Sequence, residues 1–199
     1  ALIYDFDGTL AEGDCPEHGL MPALGISDTK AFWREVKRFA KADDGDEILS
    51  YMGLLAAKAA NKKSEELSIE NLKKHGATIP LFPGVTEWFT RINAWAHEQG
   101  LDPEHYILSS GLDGMIRGTA IGHEFRDIFA CKYHYSADGK TAQWPAQAIN
   151  YTTKTQFLFR INKGIHNSWD NVAVNQFIEQ EERAVQFRHM IYFGDGDTE

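Results

Sequence analysis

The sequence predicts an α/β fold in which a doubly wound parallel sheet carries helices on both faces. Short apolar strand candidates alternate with amphipathic helix candidates along the chain, which is the pattern of a parallel sheet. The stretch from Asp28 to His75 has several amphipathic runs and no strand candidate. This stretch predicts a helical insertion that follows the first strand.

Four segments are strand candidates because they are short, apolar and bounded by turn residues. They are ALIY, HYILSSG, DIFACKYHY and HMIYFGDG. The first runs into Asp5, the second ends at Ser109–Gly111, and the last ends at Asp195. The third is followed by the turn SADGK, which predicts a hairpin.

Two helix candidates alternate with these strands. In GVTEWFTRINAWAHEQG, apolar residues recur at helical spacing, and Gly100 supplies a C-terminal stop. These residues are Val85, Trp88, Phe89, Ile92 and Trp95. KTQFLFRINKG repeats the pattern and ends at Gly164.

The insertion has its own helical periodicity, carried by Phe32, Val36, Phe39, Ile48, Leu49, Met52 and Leu55. We assign residues 12–81 to an all-helical cap and residues 1–11 and 82–199 to a discontinuous α/β core. The missing initiator Met and the loop-like ending GDGDTE predict a fragment of a longer chain, and the ending predicts that the core is truncated at its C-terminus.

Composition narrows the classes of function. The 199 residues are 43% hydrophobic and 25% charged, as in an ordinary globular protein. The sequence has neither a membrane-length apolar run nor a signal peptide, so we expect a cytoplasmic protein that binds no membrane. A formal charge of −9 argues against nucleic acid as a partner. Small phosphates remain possible partners, because a metal ion can reverse the field of an acidic site.

Polar residues follow the strands at positions that a parallel sheet brings to one edge. Asp5 and Asp7 follow the first strand, Ser109 ends the second, Lys154 opens a helix, and Asp195 follows the last strand. Carboxylate oxygens suit a hard cation such as Mg²⁺, which also offsets the repulsion between neighbouring carboxylates. One carboxylate can attack phosphorus, a second can transfer protons, and the serine and lysine can hold phosphoryl oxygens.

Four motifs in this order resemble those of the haloacid dehalogenase-like (HAD) hydrolase superfamily. They are DFDGTL, ILSSG, a lysine ahead of a helix, and GDGDTE. The helical insertion and the CKYHYSADGK hairpin are similar to the phosphoserine phosphatase-like branch. The resemblance implies a Rossmann-like core with a helical cap. It also implies a Mg²⁺-dependent phosphatase that hydrolyses a small phosphorylated metabolite through an aspartyl-phosphate.

The resemblance also implies a role for each motif residue. Asp5 would be the nucleophile and a metal ligand. Asp7 would be the general acid/base, with its backbone carbonyl on the metal. Ser109 and Lys154 would bind the phosphoryl group, and Asp195 would complete the metal shell. The carboxyl of Asp7 favours phosphoryl transfer over carbon–halogen cleavage, since the dehalogenases of the family lack this second Asp.

Two assignments have rivals in the sequence. Ser110 competes with Ser109, while Lys140 and Lys163 compete with Lys154. A phosphomutase or phosphotransferase would use the same Asp pair, and a non-catalytic phosphate-binding protein is a third reading. The sequence leaves the substrate and the oligomeric state open.

Other positions have no assigned role. Glu199 stands where the family usually has an Asp, and Asp197 is an additional acidic residue. Candidate substrate contacts near and within the cap are Glu12, Asp14, His18 and Arg34.

Overall fold

A computed structural model describes residues 1–196 of the chain. Its centre is a five-stranded sheet with the order β4-β3-β2-β1-β5. The strands are β1 (Leu2–Tyr4), β2 (His105–Leu112), β3 (Asp127–Tyr135), β4 (Ala142–Gln147) and β5 (Ile191–Phe193).

The α/β fold class is confirmed, but the sheet is not wholly parallel. Neighbouring strands among β1, β2, β3 and β5 pair in parallel, whereas β4 pairs antiparallel with β3. The SADGK turn explains the difference, because Gly139 adopts a φ of 71° there and the backbone N–H of Ser136 donates to the Thr141 carbonyl. The tight turn returns the chain beside β3 as an antiparallel edge strand.

Eight α-helices accompany the sheet within residues 1–196. They are α1 (Leu20–Ala23), α2 (Thr29–Asp43), α3 (Glu47–Asn61), α4 (Ile69–Gly76), α5 (Val85–Glu98), α6 (Asp113–Gly118), α7 (Lys154–Lys163) and α8 (Asn171–Asn175). Short 3-10 segments occupy Cys15–Glu17, Gln180–Glu182 and Phe187–His189. None of the helices in this part of the chain combines the length and apolar content needed to cross a membrane.

Side-chain caps explain where the helices of the insertion begin. The Asp28 carboxylate accepts from the Ala31 N–H at the start of α2, and Ser68 caps α4 in the same way. The Asp46 carboxylate accepts from the first N–H groups of α3. These acceptors satisfy backbone donors that have no partner inside the helix.

The described structure of the insertion is helical, and an isolated bridge between Ala11 and Leu81 closes its base. The division of the chain into a core and a cap remains a prediction. Two residues of the apolar pattern of the insertion are exposed, Phe39 by 39% and Leu49 by 48%, and Ile48 is partly buried. The other members Phe32, Val36, Met52 and Leu55 are buried, and Ala40 adds to the buried face of α2.

A chain of polar side chains crosses the core beside β1. Trp88 Nε1 donates to the Tyr4 hydroxyl at 2.9 Å, and this hydroxyl lies 3.0 Å from His105 Nδ1. His105 Nε2 lies 2.7 Å from Asn93 Oδ1. Burial lowers the pKa of His105, so the neutral ring that accepts at Nδ1 and donates at Nε2 satisfies every partner. His105 begins β2, in agreement with the strand candidate HYILSSG, and it is buried.

Helices α4 and α6 approach each other at backbone distance because glycines line their contact. A Cβ at Gly76 would overlap the Met115 carbonyl, and a Cβ at Gly118 would overlap the Lys73 carbonyl. Neither glycine has a positive φ, so the close approach is what requires them.

We expect Gly76→Ala to lower the free energy of unfolding by about 1–3 kcal/mol, because the added methyl forces the two helices apart. Gly53→Ala is the matched control, since nothing lies within 4 Å of a Cβ at this position in α3. The control should raise stability by about 0.5–1 kcal/mol through helix propensity. Urea unfolding of both variants measures the difference, and a stabilised Gly76→Ala would contradict the described packing.

Candidate active site

A cavity of about 410 Å³ lies where β1 and β5 end and α7 begins. Four residues that the sequence predicts as a site line this one cavity, namely Asp5, Asp7, Lys154 and Asp195. The structure thus brings together side chains that are separated by up to 190 positions in the sequence. The carboxyl edge of the sheet accounts for this convergence.

Asp5 and Lys154 form a direct contact in the cavity wall. Lys154 Nζ donates to Asp5 Oδ2 at 2.7 Å, and the two side chains are only 7% and 13% exposed, lysine first. The other oxygen of Asp5, Oδ1, accepts from the backbone N–H of Phe6 at 2.7 Å. A buried ion pair of this kind is stable only while both charges are present, because either one alone has lost its hydration.

The turn before α7 places Lys154 at this point. Asn150 Oδ1 accepts from the backbone N–H groups of Thr152 and Thr153, and the Thr153 hydroxyl accepts from the Asn150 N–H. Asn150 Nδ2 also donates to Asp46 Oδ2 at 2.6 Å, which ties this turn to the first turn of α3. Lys154 is the first residue of α7, where the helix dipole opposes a positive charge. The helix dipole therefore does not explain why a lysine occupies this position, whereas the contact of Lys154 with Asp5 does.

Asp7 is held from two sides. Its Oδ1 accepts from the backbone N–H of Cys15 at 2.8 Å, and its Oδ2 would lie 3.1 Å from a Cβ at Gly111. Burial raises the pKa of the Asp7 carboxyl well above its usual range, and the nearby Asp14 carboxylate raises it further. The hydrogen bond from Cys15 opposes these effects. A carboxyl group with a raised pKa retains a proton that it can donate.

Gly8 lets the end of β1 meet the loop after β5. Its φ is +74°, and a Cβ at this position would overlap the Asp195 carboxyl group. Asp195 therefore packs directly against the backbone that carries Asp7. Glycine is required here both by the left-handed conformation and by the close approach.

The donor set of this cavity fits a hard divalent cation. Its oxygen donors include the carboxylates of Asp5 and Asp195, and within residues 1–196 the Asp7 carbonyl oxygen accepts no hydrogen bond. Such a carbonyl has lone pairs available for a metal, and Mg²⁺ prefers carboxylate, carbonyl and water oxygens. Among the described residues, no group of three or more His, Cys, Asp or Glu side chains is placed to hold a metal. Any cation here would therefore depend on the backbone carbonyl or on water as well as on the two carboxylates.

The two serines differ in how they relate to the cavity. Ser109 is fully buried, and its hydroxyl accepts from the Gly111 N–H at 2.9 Å. Ser110 lines the cavity, and its buried hydroxyl has no hydrogen-bond partner among residues 1–196. The role predicted for Ser109 remains a prediction, and Ser110 offers the polar group that lacks a partner.

The rival lysines lie elsewhere. Lys140 pairs with Glu65 at 3.5 Å, and Lys163 donates to the carbonyls of Val174 and Gln176. Of the candidate substrate contacts, Asp14 lines the cavity. Glu12, His18 and Arg34 are not among its lining residues. Asp197 and Glu199 lie outside the described residues.

A second cavity of about 260 Å³ adjoins the first and shares Asp7, Asp14, Ser110 and Tyr151 with it. Trp33 and Tyr51 from α2 and α3 line this second cavity. No sequence pattern singles out Tyr151, Trp33 or Tyr51 as site residues. The available signal for Tyr151 was its position in NYTTK, three residues before Lys154.

We expect the Asp5–Lys154 pair to show an energetic coupling of about 1–3 kcal/mol in a double-mutant cycle of Asp5→Asn and Lys154→Met. Lys154→Met should be clearly destabilising alone, because it leaves the Asp5 carboxylate without its counter-charge. Lys74→Met is the matched control, since its pair with Glu70 is 64% and 79% exposed and contributes little. Urea unfolding measures all four proteins of the cycle, and a coupling near zero would contradict the described contact.

Comparison with known proteins gives one relative and several similar structures. No protein-family model matches the chain. An uncharacterized protein of Borreliella burgdorferi is 27% identical over 218 residues, covering 98% of this chain and 74% of the relative. At this identity the relative does not by itself establish the family of the chain.

Solved structures share the fold at low sequence identity. A HAD family hydrolase from Salmonella enterica has a TM-score of 0.53 at 15% identity and covers 96% of this chain. A substrate-bound phosphoserine phosphatase has a TM-score of 0.54 at 17% identity and covers 81% of this chain and 70% of its own. A probable phosphoserine phosphatase from Vibrio cholerae has a TM-score of 0.54 at 15% identity and covers 87% of this chain.

The chain spans about half the length of two of these neighbours, 54% of the Salmonella protein and 52% of the Vibrio protein. Identities of this size relate folds and leave activity to be argued from the site. The resemblance predicted from the motif order is confirmed at the level of structure. The chain has the fold of the HAD-like hydrolases, in the form shared with phosphoserine phosphatases.

Proposed function

We propose that the protein is a Mg²⁺-dependent phosphatase that hydrolyses small phosphomonoesters through an aspartyl-phosphate on Asp5. The observation that carries this proposal is the buried contact of Asp5 with Lys154 in a cavity that also holds Asp7 and Asp195. A carboxylate nucleophile, a cation beside it and a carboxyl group with a raised pKa are the groups that phosphoryl transfer requires.

The first step forms the covalent intermediate. A carboxylate oxygen of Asp5 attacks phosphorus, and the bond between phosphorus and the ester oxygen breaks. Asp7 donates its proton to the leaving ester oxygen, which departs as an alcohol. Lys154, 2.7 Å from Asp5 Oδ2, offsets the negative charge of the phosphoryl oxygens as they approach the carboxylate.

The second step regenerates the enzyme. Water attacks the phosphorus of the aspartyl-phosphate and loses a proton to the Asp7 carboxylate, and inorganic phosphate leaves as the Asp5 carboxylate reforms. A phosphomutase or phosphotransferase would pass the phosphoryl group to a hydroxyl of a second substrate. Release of inorganic phosphate separates these reactions.

Mg²⁺ would be held by the carboxylates of Asp5 and Asp195 and by the Asp7 carbonyl. When bound, this ion would supply positive charge against the phosphoryl oxygens. In its absence the cavity places four carboxyl groups, those of Asp5, Asp7, Asp14 and Asp195, against one lysine among its described lining residues, so phosphate would bind weakly. The proposed activity therefore depends on added Mg²⁺ and should be lost in a chelator.

We expect Asp5→Asn to abolish hydrolysis of p-nitrophenyl phosphate and to form no phosphoenzyme, because the nucleophile is gone. Asp7→Asn should lose about 10²–10⁴-fold in turnover, the usual contribution of a general acid/base. Nitrophenolate leaves without a proton, whereas hydrolysis of the intermediate still needs a base. Phosphate should therefore accumulate on Asp5 of the Asp7→Asn protein, and peptide mapping after an acid quench detects it.

Asp102→Asn in the full-length protein is the control, since the Asp102 side chain is 97% exposed. It should retain normal turnover. Phosphate found on a serine, cysteine or histidine, or equal loss of turnover in Asp7→Asn and Asp102→Asn, would overturn the assigned roles.

A further inference from the structure

The cavity that adjoins the catalytic cavity is placed to receive the alcohol part of the substrate. The two cavities share Asp7, Asp14, Ser110 and Tyr151. A phosphoryl group beside Asp5 therefore directs the rest of the molecule toward α2 and α3. We call this second space the cap pocket. Its volume, about 260 Å³, suits a small alcohol.

Aromatic side chains form much of the cap pocket, and they are held in fixed orientations. Trp33 Nε1 donates to Glu17 Oε1 at 2.6 Å, and the Trp33 ring meets the Tyr51 ring edge to face at 5.7 Å. The Tyr51 hydroxyl donates to the Ser110 carbonyl at 2.8 Å. The indole N–H of Trp33 and the hydroxyl of Tyr51 already form hydrogen bonds, so these two residues contribute aromatic ring surface to the pocket. Tyr151, 64% exposed, adds a third ring at the junction of the two cavities.

Hydrogen bonds fix the distance from the cap pocket to the catalytic cavity. The Tyr51 hydroxyl reaches the backbone of Ser110, and Asp46 at the start of α3 accepts from Asn150 ahead of Lys154. Tyr133 on β3 donates to the Met52 carbonyl at 2.7 Å. Helix α3 is therefore fastened to the catalytic side at three points, and its side chains form a fixed wall.

The charge of the cap pocket is predominantly negative. The carboxylates of Asp14 and Glu47 line it, and Lys37 is the one cation among its described lining residues. Asp14, Glu47 and Lys37 are all exposed, and no ion pair within residues 1–196 joins Lys37 to either carboxylate. A second anionic group on the substrate would meet these carboxylates, whereas a cationic group would be attracted by them and by the aromatic faces.

We propose that the cap pocket selects phosphomonoesters of amino alcohols, whose primary or quaternary ammonium group lies against Trp33 and Tyr151 near Glu47 and Asp14. This inference rests on the proposed phosphatase activity and adds the substrate class to it. The phosphate ester of an uncharged sugar would gain neither the cation–π contact nor the charge attraction. The carboxylate of a phosphorylated carboxylic acid would be repelled by Asp14 and Glu47.

The test compares kcat/KM of the full-length protein, with Mg²⁺, for four esters of similar size. Phosphocholine and phosphoethanolamine carry a cation, glycerol 3-phosphate is neutral apart from its phosphate, and 3-phosphoglycerate carries a carboxylate. We expect the cationic esters to exceed glycerol 3-phosphate by about tenfold, the size of a cation–π contact in a partly desolvated pocket. The ester with the carboxylate should be the poorest substrate.

Variants identify the source of the selectivity. Glu47→Gln and Trp33→Leu should each lower the ratio of kcat/KM for phosphocholine over glycerol 3-phosphate, whereas Lys37→Gln should raise it. Glu98→Gln is the matched control, because Glu98 is an exposed carboxylate at the end of α5 outside the pocket, and the ratio should not change.

Hydrolysis of p-nitrophenyl phosphate distinguishes failure of the proposed substrate class from failure of the proposed phosphatase activity. If this ester is hydrolysed but the cationic esters are no better than glycerol 3-phosphate, the proposed substrate class is wrong and the phosphatase stands. The same conclusion follows if neither Glu47→Gln nor Trp33→Leu lowers the ratio. If p-nitrophenyl phosphate is not hydrolysed, the phosphatase proposal is wrong and the substrate class falls with it.

Discussion

The buried contact between Lys154 and Asp5 is the interaction on which the arrangement of the site depends. It joins the end of β1 to the start of α7 across 149 residues of sequence. Both side chains lie in the cavity wall with little access to water. A single charge there would have lost its hydration without gaining a partner, so the two side chains are stable in this position only as a pair. The first turn of α7 is an unfavourable place for a cation. Lys154 nevertheless occupies it, which is understandable if the ammonium group serves chemistry beside the Asp5 carboxylate.

Most of the fold could be predicted because its signals are local. The strand beginning at Leu2 and the helix ending at Gly164 follow from short apolar runs, helical spacing and a glycine stop. Strand β4 was harder, since Trp144 is 55% exposed and Pro145 lies within it, features that weaken a strand pattern. The burial of His105 depends on Tyr4 and Asn93 in other elements, and no local pattern carries that information.

The residues proposed to act in catalysis were predictable from the sequence, and those proposed to bind the substrate were not. Asp5 and Asp195 follow strands, and parallel strands bring such positions to one edge whatever the details of packing. Trp33 and Tyr51 reach the site only because α2 and α3 pack over it, which depends on distant contacts such as that of Tyr51 with the Ser110 carbonyl. In the sequence an aromatic residue at helical spacing looks the same in a core as in a pocket. The net charge of a pocket likewise depends on which residues the fold brings together to line it, so no local sequence pattern predicts it.

The central claim is that Asp5 receives the phosphoryl group in a cavity completed by Lys154 and a divalent cation. The most direct measurement is a crystal structure of the full-length protein with Mg²⁺ and beryllium trifluoride, which mimics a phosphoryl group on a carboxylate. We expect beryllium bonded to an Asp5 oxygen, a fluorine within hydrogen-bond distance of Lys154 Nζ, and Mg²⁺ bound by Asp5, Asp195 and the Asp7 carbonyl. Beryllium bonded to another side chain, or Mg²⁺ bound away from these three residues, would contradict it.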